Sequence, residues 1–443
     1  MSCQGHNATL PSPAIAPGGE GIDARKVADD LGSGRFEWPG GRGAIDPRIP
    51  KLVPGFDAPF FQAGLAGYSD AAMRIIARRH GCPYCVTEAL LDRTLLAGGR
   101  GFVKADLGEL HDNVPGGDED HPLAGQIMGS DPREMAAAAL KMIEQGERSE
   151  REYRRLAYDG ALAPGQEHLR LPGGEQLGRP AMGATASEPA SPGGVSRSFE
   201  VVDVNLACPV KKIASKARGG HWLAEPGGAI ALLEAVREAL PKAVVCAVKL
   251  RRSFDDTPEM VENFLRIYDA AHAMGYAWAT VHARTVEQKY VGPSRWDVLR
   301  DLRRRNPERI LFGSGDVWGA GEIFRMIAYT GVNAVAVARG CIGNPWIFRQ
   351  AREMLRGEAP AAPAIAQQRA VLEEHFDLML AVNRGMRHGE EASSRMIRKF
   401  AIRFAEHHPQ HEEVRRRVIA VQSREDWRRV LGDWYAERPP VGA

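Results

Sequence analysis

Short apolar runs alternate with helical patterns along most of this chain. Eight runs have the length and composition of buried strands, at residues 60–64, 84–88, 123–128, 201–205, 243–250, 278–282, 310–314 and 334–338. Strand-like runs that alternate with helices are typical of parallel βαβ units, and eight units indicate a closed (β/α)8 TIM barrel of the α/β class. The alternative, an open Rossmann-like sheet, would carry G-x-G-x-x-G after an early strand, and none is found there.

The helices between the runs begin and end at recognisable signals. Asp131 with Pro132, and Thr257 with Pro258, each combine an N-cap side chain with a proline at the first helical position. Gly275 predicts the end of the helix that Pro258 opens. These signals predict where the helices after two of the predicted strands begin.

The chain divides into a leader, a barrel and a helical end. Residues 1–50 are rich in Gly, Pro and Asp without periodicity, and we expect a loose leader. The barrel covers 51–358 and is interrupted at about 146–198 by a Gly/Pro-rich insertion that opens with a charge run and is expected not to pack. From about 364 to 443 only helical patterns follow, which predicts a smaller, all-helical C-terminal domain.

Composition narrows the class of protein. The net charge is +2 and there are six cysteines in 443 residues, so a disulfide framework is excluded and a reduced, cytoplasmic protein is expected. We expect neither a signal peptide nor a membrane span, because residues 1–21 have no charged and apolar signal pattern and no run of about 18 apolar residues occurs. Residues 384–429 hold 12 Lys and Arg against 7 Asp and Glu. This local excess indicates either a solvated helix face or a surface for nucleic acid.

Two motifs suggest other chemistry. The C-x-x-C of Cys82 and Cys85 is typical of dithiol redox proteins, but in those proteins the motif follows a strand and opens a helix. Here a helical pattern precedes the motif and a strand follows it, which favours a structural loop over a redox or metal role. The histidines of 407–411 are interpreted as an exposed interhelical loop, and no metal site is predicted.

Polar residues gather where the predicted strands end, which is where the chemistry of a barrel lies. Strand three leads to Gln126, strand four to Asn205 and Cys208, strand five to Lys249 and strand six to His282. Strands seven and eight end in the small-residue turns 313–316 and 338–340. Turns of this kind after strands seven and eight commonly bind phosphate, and Arg339 would add a charged contact.

The segment VDVNLACPVKKIASKARGGHWL resembles the active-site segment of the tRNA-dihydrouridine synthases, through Asp203, Asn205, Cys208, Pro209 and the Gly219-Gly220 turn. The resemblance continues in order through FQAGLAGYSDAAMR, VTEALL, GQIMGSDP, VKLR, HARTVEQKYVG, GSGD and VARGCIGNPWIF. RMIRKFAIRF resembles the start of the family's basic C-terminal helical domain. Apart from the insertion, the similarity covers roughly residues 58–435.

The resemblance implies FMN as cofactor, NADPH as reductant and a uridine of tRNA as substrate, reduced at its C5=C6 bond. Cys208 is then expected to be the general acid that protonates C5, since an ordinary thiol is mostly protonated at neutral pH. The expected cofactor contacts are Ala63, Gly64, Leu65, Gln126, Lys249, His282, Ser314, Gly315, Asp316, Ala338 and Arg339. The expected substrate contacts are Asn205, Arg284, Arg398 and Lys399.

The chain departs from the family's pattern at several positions. Gly64 stands where proline is usual, Ala207 and Ala338 where glycine is usual, and Ser314 where asparagine is usual. His221 and Trp222 are bulkier than the small residues expected there. The insertion is expected at the barrel face opposite the active site, because it joins a helix to the next strand.

Two other functions remain open at this stage. One is an FMN barrel oxidoreductase for a free pyrimidine, against which the helical domain argues because a small substrate does not need it. The other is a tRNA-binding homologue that has lost its chemistry, against which Cys208, Lys249, Gln126 and His282 argue together. tRNA is the expected partner, with no membrane and no protein partner, and a monomer is expected.

Overall fold

The structure is a computed structural model of the full chain. It describes residues 45–97, 117–144, 150–158, 169–170, 176–177, 199–209, 219–383 and 389–436. The leader predicted at 1–50 lies almost entirely outside these residues. So does most of the 146–198 insertion.

Eight parallel strands close into a barrel, as the alternating pattern predicts. They are β1 Phe60–Gln62, β2 Cys85–Val86, β3 Leu123–Met128, β4 Val201–Leu206, β5 Val245–Arg251, β6 Trp278–His282, β7 Ile310–Ser314 and β8 Ala334–Val337. Each strand pairs in parallel with the next, and β8 pairs back onto β1, so the sheet closes on itself. The (β/α)8 prediction is confirmed.

Helices surround the barrel and then continue without further strands among the described residues. They are α1 Arg48–Leu52, α2 Ala71–Arg79, α3 Asp92–Ala97, α4 Pro132–Glu144, α5 Glu150–Tyr158, α6 Pro226–Ala239, α7 Pro258–Ala273, α8 Trp296–Arg305, α9 Ala320–Thr330, α10 Trp346–Leu355, α11 Ile365–Val382, α12 Gly389–Met396, α13 Arg398–Phe404, α14 His411–Ile419 and α15 Arg424–Trp434. Short 3-10 turns lie at Asp118–Asp120, Gly219–Ala224, Arg339–Cys341 and Ala405–His407.

The predicted helix signals have the expected geometry. The Thr257 hydroxyl accepts from the backbone N–H of Met260, and Pro258 is the first residue of α7. Asp131 accepts from the N–H of Glu134 at 3.1 Å in the first turn of α4. Gly275 follows α7 with φ +88°, a conformation that glycine adopts without steric cost.

An aromatic layer fills the lower half of the barrel. Phe56, Phe61, Tyr84, Trp278 and Phe312 pack against one another, with ring centroids 5.0 Å apart for Trp278 and Phe312 and 4.7 Å for Phe56 and Tyr84. α1 closes this end, with Ile49 buried. The layer is the rigid floor of the space above it, where the polar ends of the strands converge.

The second strand is shorter than the apolar run predicts. It spans only Cys85–Val86, and a separate two-residue strand, Leu90–Leu91, pairs with β3. Between them the Thr87 hydroxyl accepts from the backbone N–H of Gln126 at 3.0 Å, so a side chain takes the place of the sheet hydrogen bond.

The start of the insertion packs onto the barrel, contrary to expectation. α5 forms within the charge run, and its Tyr153, Leu156 and Ala157 are buried. The Tyr153 hydroxyl donates to Glu144 of α4 at 2.7 Å. Three apolar residues at helical spacing are enough to seat this helix despite its charged neighbours.

The C-terminal helices dock directly on the barrel. Trp346, at the start of α10, packs against Phe404 and His407 with ring centroids 4.7 Å and 5.1 Å away. Gly343, in the loop before α10, lies so close that an added Cβ would be 2.6 Å from the carbonyl oxygen of Phe400. The helical end is therefore seated on the loop that follows β8.

None of the helices among the described residues combines the length and the apolar character that crossing a membrane requires.

Candidate active site

A chain of hydrogen bonds crosses the ends of β3 and β4. Gln126 Nε2 donates to Asp203 Oδ2 at 2.7 Å, Asn205 Nδ2 donates to Gln126 Oε1 at 2.7 Å, and the backbone N–H of Ala207 donates to Asn205 Oδ1 at 2.9 Å. Gln126 and Asp203 face each other in register, and Asp203 and Asn205 share a strand face because side chains alternate. We call these three side chains the amide relay. The relay ends on the backbone beside Cys208.

Two ionisable side chains, Asp203 and Lys249, line a cavity at this end of the barrel. Burial raises the pKa of Asp203, while the hydrogen bond from Gln126 and the charge of Lys249 work against that rise. Burial lowers the pKa of Lys249, helped by Arg251 and opposed by Asp203. Asp203 Oδ1 has no hydrogen-bond partner among the described residues. A buried acceptor without a partner and a nearby ammonium group are suited to hold a polar ligand.

Cys208 lies on the turn after β4, partly exposed. Its carbonyl accepts from the N–H of Gly220 at 2.9 Å, and Arg251 Nε donates to the carbonyl of Ala207 at 2.9 Å. The relay and Arg251 thus fix the backbone immediately before the thiol from both sides. Residues 210–218, which follow in the active-site motif, lie outside the described part of the chain.

Gln126 and Asp203 of the relay line the cavity above the aromatic floor. Ala63, Gly64, Gln126 and Lys249 contribute to its wall, and Phe61 and Trp278 to its base. Gly64 permits close approach here, because an added Cβ would be 2.4 Å from the carbonyl oxygen of Thr87 and 3.2 Å from Gln126 Oε1. Four of the residues expected to contact the cofactor are brought together at this cavity.

A second cavity adjoins the first, with Ala336 in the wall of both. It is lined by six of the seven other expected cofactor residues: His282, Ser314, Gly315, Asp316, Ala338 and Arg339. His282 Nδ1 lies 3.3 Å from Ser314 Oγ, and His282 Nε2 is buried without a partner among the described residues. Burial and four nearby cations hold the pKa of His282 well below its usual value, so the ring is neutral.

Arg284 is buried beside the turn after β7. It is 3% exposed, its Nη2 lies 2.7 Å from both carboxylate oxygens of Asp316, and it also donates to the carbonyl of Gly292. Asp316 also accepts from Ser294. Burial works to raise the pKa of Asp316, but the hydrogen bonds from Arg284 and Ser294 keep it below its ordinary value. Arg284 therefore holds the turn after β7 through Nη2, while its Nη1 has no hydrogen-bond partner among the described residues, and its contact with the substrate stays a prediction.

Arg339 projects over aromatic rings at the edge of the second cavity. Its guanidinium lies 4.7 Å from the ring of Trp318, 4.9 Å from that of Tyr290, and 3.7 Å from Asp316. The guanidinium of Arg251 lies 5.4 Å from the same Tyr290 ring. The Tyr290 ring thus lies close to two guanidinium groups, that of the buried Arg251 and that of the partly exposed Arg339.

Three predicted site residues lie away from both cavities. Leu65 lies in the turn after β1, where its backbone N–H donates to Ser69 Oγ at 2.7 Å. Arg398 and Lys399 lie on α13, where Arg398 donates to the carbonyls of Arg395 and Ile419. Lys399 donates to the carbonyl of Gly67, in the loop after β1.

Three further residues belong to this region and are absent from the sequence-based list. Asp203 anchors the relay, Arg251 holds the Cys208 backbone, and Tyr290 is half exposed beside Arg339. Alternation along the strand offers a signal for two of them, since Asp203 lies two residues before Asn205 and Arg251 two after Lys249. Tyr290 lies in a loop, where no such pattern exists.

The C-x-x-C motif is buried inside the barrel wall. Cys82 and Cys85 are 2% and 0% exposed, with their sulfur atoms 3.9 Å apart. Within the described residues no group of three or more His, Cys, Asp or Glu side chains is arranged to hold a metal ion. The placement agrees with a structural loop that enters β2.

Of the two bulky departures after the glycine turn, Trp222 packs beneath the site. It is buried, and its Nε1 donates to the carbonyl of Gly129 at 3.1 Å. His221 is less buried, with its ring 5.7 Å from that of Phe254. Trp222 thus braces the turn after β3 from below.

Comparison with known proteins agrees with this site. The family model described as dihydrouridine synthase matches residues 180–432, which is more than half of the chain. A "Probable tRNA-dihydrouridine synthase" of Mycobacterium leprae is 29% identical over 225 residues. That alignment covers 50% of this chain and 56% of the relative, so the chain spans little more than half the length of this mycobacterial protein. The "tRNA-dihydrouridine synthase B" of Pseudomonas aeruginosa is 26% identical over 339 residues, 76% of this chain and 80% of the relative.

Solved structures resemble this one only distantly. "Crystal structure of TcOYE with pHBA" aligns over 76% of this chain and 99% of that chain, with a TM-score of 0.40 and 12% identity. Histamine dehydrogenase from Rhizobium sp. 4-9 aligns over 73% of this chain and 49% of that chain, with a TM-score of 0.40 and 9% identity. Likenesses this distant add nothing to the fold described above.

Proposed function

Because the chain belongs to the dihydrouridine synthase family, we propose that it reduces the C5=C6 bond of a uridine in tRNA, with FMN as cofactor and NADPH as reductant. The observation that carries the proposal is the placement of Cys208. The thiol is partly exposed on a turn that the amide relay and Arg251 fix, next to a cavity whose wall holds Lys249. A positioned proton donor beside a cationic cavity is what the reduction of a uracil ring requires.

The two adjoining cavities fit FMN. The first offers an amide, a carboxylate oxygen unpaired among the described residues and an ammonium group above an aromatic floor, which suits a planar, polar-edged ring. The second offers Arg339, the buried Nε2 of His282 and a glycine turn, which suits a phosphate. Gly315 has φ +127°, and an added Cβ would be 2.8 Å from Ser294 Oγ, so only glycine lets the backbone approach there. When bound and reduced, FMN supplies the hydride for C6 of the uracil.

The protein's own residues then orient the substrate and supply the proton. Cys208 carries the proton that C5 receives. Asn205, two strand positions from Asp203, lies beside the same turn and is suited to bond the uracil amide edge. Lys249 places positive charge in the cavity, where it favours the negative charge of a reduced ring. Arg284 keeps Asp316 and the turn after β7 in place.

tRNA is the proposed partner, and its target uridine cannot reach the cavity while it is stacked inside a helix. The base therefore has to leave the stack to meet the thiol. We assign the barrel to residues 51–358 and the tRNA-binding helices to 364–443, with backbone contacts from the basic residues of 384–429. A cytoplasmic monomer is part of the same proposal.

The test measures dihydrouridine by mass spectrometry after the purified protein is incubated with NADPH and an unmodified tRNA transcript. The flavin absorption of the protein is recorded first, and its bleaching by NADPH under anaerobic conditions is followed. Cys208→Ala is expected to keep the flavin spectrum and the bleaching while losing dihydrouridine formation by at least about 10²-fold, a typical contribution of a general acid. Cys246→Ala, a buried cysteine on β5, is the matched control and is expected to keep the activity.

Each outcome separates a part of the proposal. Full activity of Cys208→Ala would remove the thiol from the mechanism. Reduction of free uracil, with none in tRNA, would favour a small-molecule oxidoreductase. A wild-type protein that binds tRNA but cannot be loaded with FMN would show a homologue without chemistry.

A further inference from the structure

The C-terminal helices contact the loop after β1. Lys399 of α13 donates through Nζ to the carbonyl oxygen of Gly67, and the same Nζ lies 3.9 Å from Asp70 Oδ2. It also lies 5.2 Å from the centre of the Tyr68 ring and 4.7 Å from that of Phe400. The ring of Tyr68 meets that of Phe400 edge to face at 5.7 Å. The Lys399 ammonium group therefore lies on the boundary between the barrel and the helices, with contacts on both sides.

The same loop is part of the first cavity. Gly64 of this loop lies next to the relay, since a Cβ added at Gly64 would be 3.2 Å from Gln126 Oε1. The loop is folded on itself, since Leu65 N–H donates to Ser69 Oγ and the N–H of Tyr68 donates to the carbonyl of Leu65. These bonds place Gly67 within a hydrogen-bonded turn that begins directly after Gly64.

The tip of the loop packs against little of the barrel. Ala66 and Gly67 are exposed, and an added Cβ on Gly67 would meet no described atom within 4 Å. Gly67 lies in a turn, with φ +76°. Asp70, at the other end of the turn, caps α2 by accepting from the N–H of Met73. The contact with Lys399 thus links an exposed tip to the rigid helical end.

α13 also touches the loop after β8, through the close packing of Gly343 on Phe400 and Phe404. The loops after β1 and β8 are neighbours in the barrel because β1 and β8 pair directly. A single helix thus seats two of the loops that border the cleft. Its position bears on the site as well as on RNA.

We propose that Lys399 is a positioning residue, which holds the Gly64–Ser69 turn against the amide relay so that docking of the helical end keeps the cofactor cleft formed. The expected effect on FMN binding rests on the proposed function, whereas the contact of Lys399 with the loop after β1 does not. The sequence predicts that Lys399 contacts tRNA, which stays a prediction; the structure shows its ammonium group bonded to the barrel.

The test compares Lys399→Met, Lys399→Arg and Arg403→Met. Methionine keeps the unbranched stem and removes the ammonium group, whereas arginine keeps a donor and the charge. Arg403 is the matched control, since it lies on the same helix, carries the same charge and pairs its guanidinium with Glu406 at 2.9 Å, while its Cβ lies near the barrel, beside Gly343. The first measurement is backbone hydrogen exchange in residues 64–73 of the FMN-free protein. The second is the dissociation constant for FMN, and the third is the dissociation constant for tRNA with its salt dependence.

Lys399→Met is expected to speed hydrogen exchange in residues 64–73 and to weaken FMN binding about 10-fold, while the salt dependence of tRNA binding stays unchanged. Lys399→Arg is expected to restore most of the slow exchange and most of the FMN affinity. Arg403→Met is expected to reduce the salt slope and leave exchange in 64–73 unchanged. Unchanged exchange and FMN affinity in Lys399→Met, with weaker tRNA binding, would overturn the proposal and return Lys399 to RNA. Faster exchange in Lys399→Met, together with a wild-type protein that binds no FMN, would instead contradict the proposed cofactor and leave the contact standing.

Discussion

Gln126 is the middle of the amide relay, and its replacement by leucine is the sharpest test of that arrangement. Its side chain is 1% exposed and makes two hydrogen bonds of 2.7 Å, one to a carboxylate and one from an amide. Leucine has nearly the same volume but neither a donor nor an acceptor. Gln126→Leu therefore leaves Asp203 Oδ2 and Asn205 Nδ2 buried without the partner that each has now.

The expected cost follows from those two groups. A buried polar group left unsatisfied costs about 1–3 kcal/mol, with charged groups at the upper end. The two together lose about 3–5 kcal/mol, and the additional apolar burial of leucine returns about 1 kcal/mol. The free energy of unfolding should therefore fall by about 2–4 kcal/mol. Urea denaturation of the FMN-free protein, followed by tryptophan fluorescence, measures it.

The loss should depend on pH, because one of the stranded groups is ionisable. The pKa of Asp203 is raised by burial, so the folded state binds more protons than the unfolded state, and stability decreases as pH rises from the ordinary carboxyl value through the raised one. The hydrogen bond from Gln126 opposes that rise, and its removal moves the folded-state pKa higher still. The difference between Gln126→Leu and wild type should therefore be larger at about pH 8 than at about pH 5.

A double-mutant cycle with Asp203→Asn shows whether the two residues act as one unit. In the Gln126→Leu background, asparagine replaces a stranded charge with a neutral amide, so the combined loss should be smaller than the sum of the single losses by at least about 1 kcal/mol. Additive losses within about 0.5 kcal/mol, or a loss that does not change with pH, would refute the relay as described.

Two other consequences concern parts of the chain outside the cleft. Tyr153→Ala in α5 should lower the free energy of unfolding by about 3–5 kcal/mol, because a fully buried aromatic ring is lost. Replacing residues 159–198 with a Gly/Ser linker should leave dihydrouridine formation, measured by the same mass-spectrometric assay, nearly intact. A large loss of activity in the linker variant would place the insertion near the substrate. Cys82→Ala and Cys85→Ala should keep NADPH-dependent activity and cost only about 1–2 kcal/mol of stability in urea denaturation, because both thiols are buried wall residues; loss of activity with unchanged stability would instead assign the pair a redox role.

The sequence predicts the barrel well because its signals are local. Each apolar run that forms a strand is bounded by turn residues, and seven of the eight strands lie where the pattern puts them. The second is cut short because Thr87 uses its hydroxyl in place of a backbone group. The convergence of Gln126, Lys249 and His282 follows from strand ends alone, since parallel strands bring their carboxyl ends to one face.

What the sequence does not reveal depends on contacts between distant segments. Arg284 and Asp316 lie on different strand ends, and only the fold shows that they pair, so that Arg284 holds the turn after β7. Tyr153, Leu156 and Ala157 of α5 recur at helical spacing in the sequence, but the many charged residues around them obscure this apolar pattern. Where a side chain on a basic helix points, toward RNA or toward its own barrel, depends on docking that periodicity does not encode.

The position of Lys399 changes how the two parts of the molecule relate to each other. A helical domain that only recruits tRNA would need its cations free, yet here Lys399 is committed to the loop after β1. In the proposed function, exposed cations of α13 such as Arg403 contact RNA. The helix would then face RNA on one side and two cleft loops on the other, and tRNA that shifts α13 would also shift Gly67 and, through Gly64, the relay that fixes the backbone of Cys208. The proposed role of Lys399 therefore implies that tRNA binding and chemistry are coupled through its contact with the barrel.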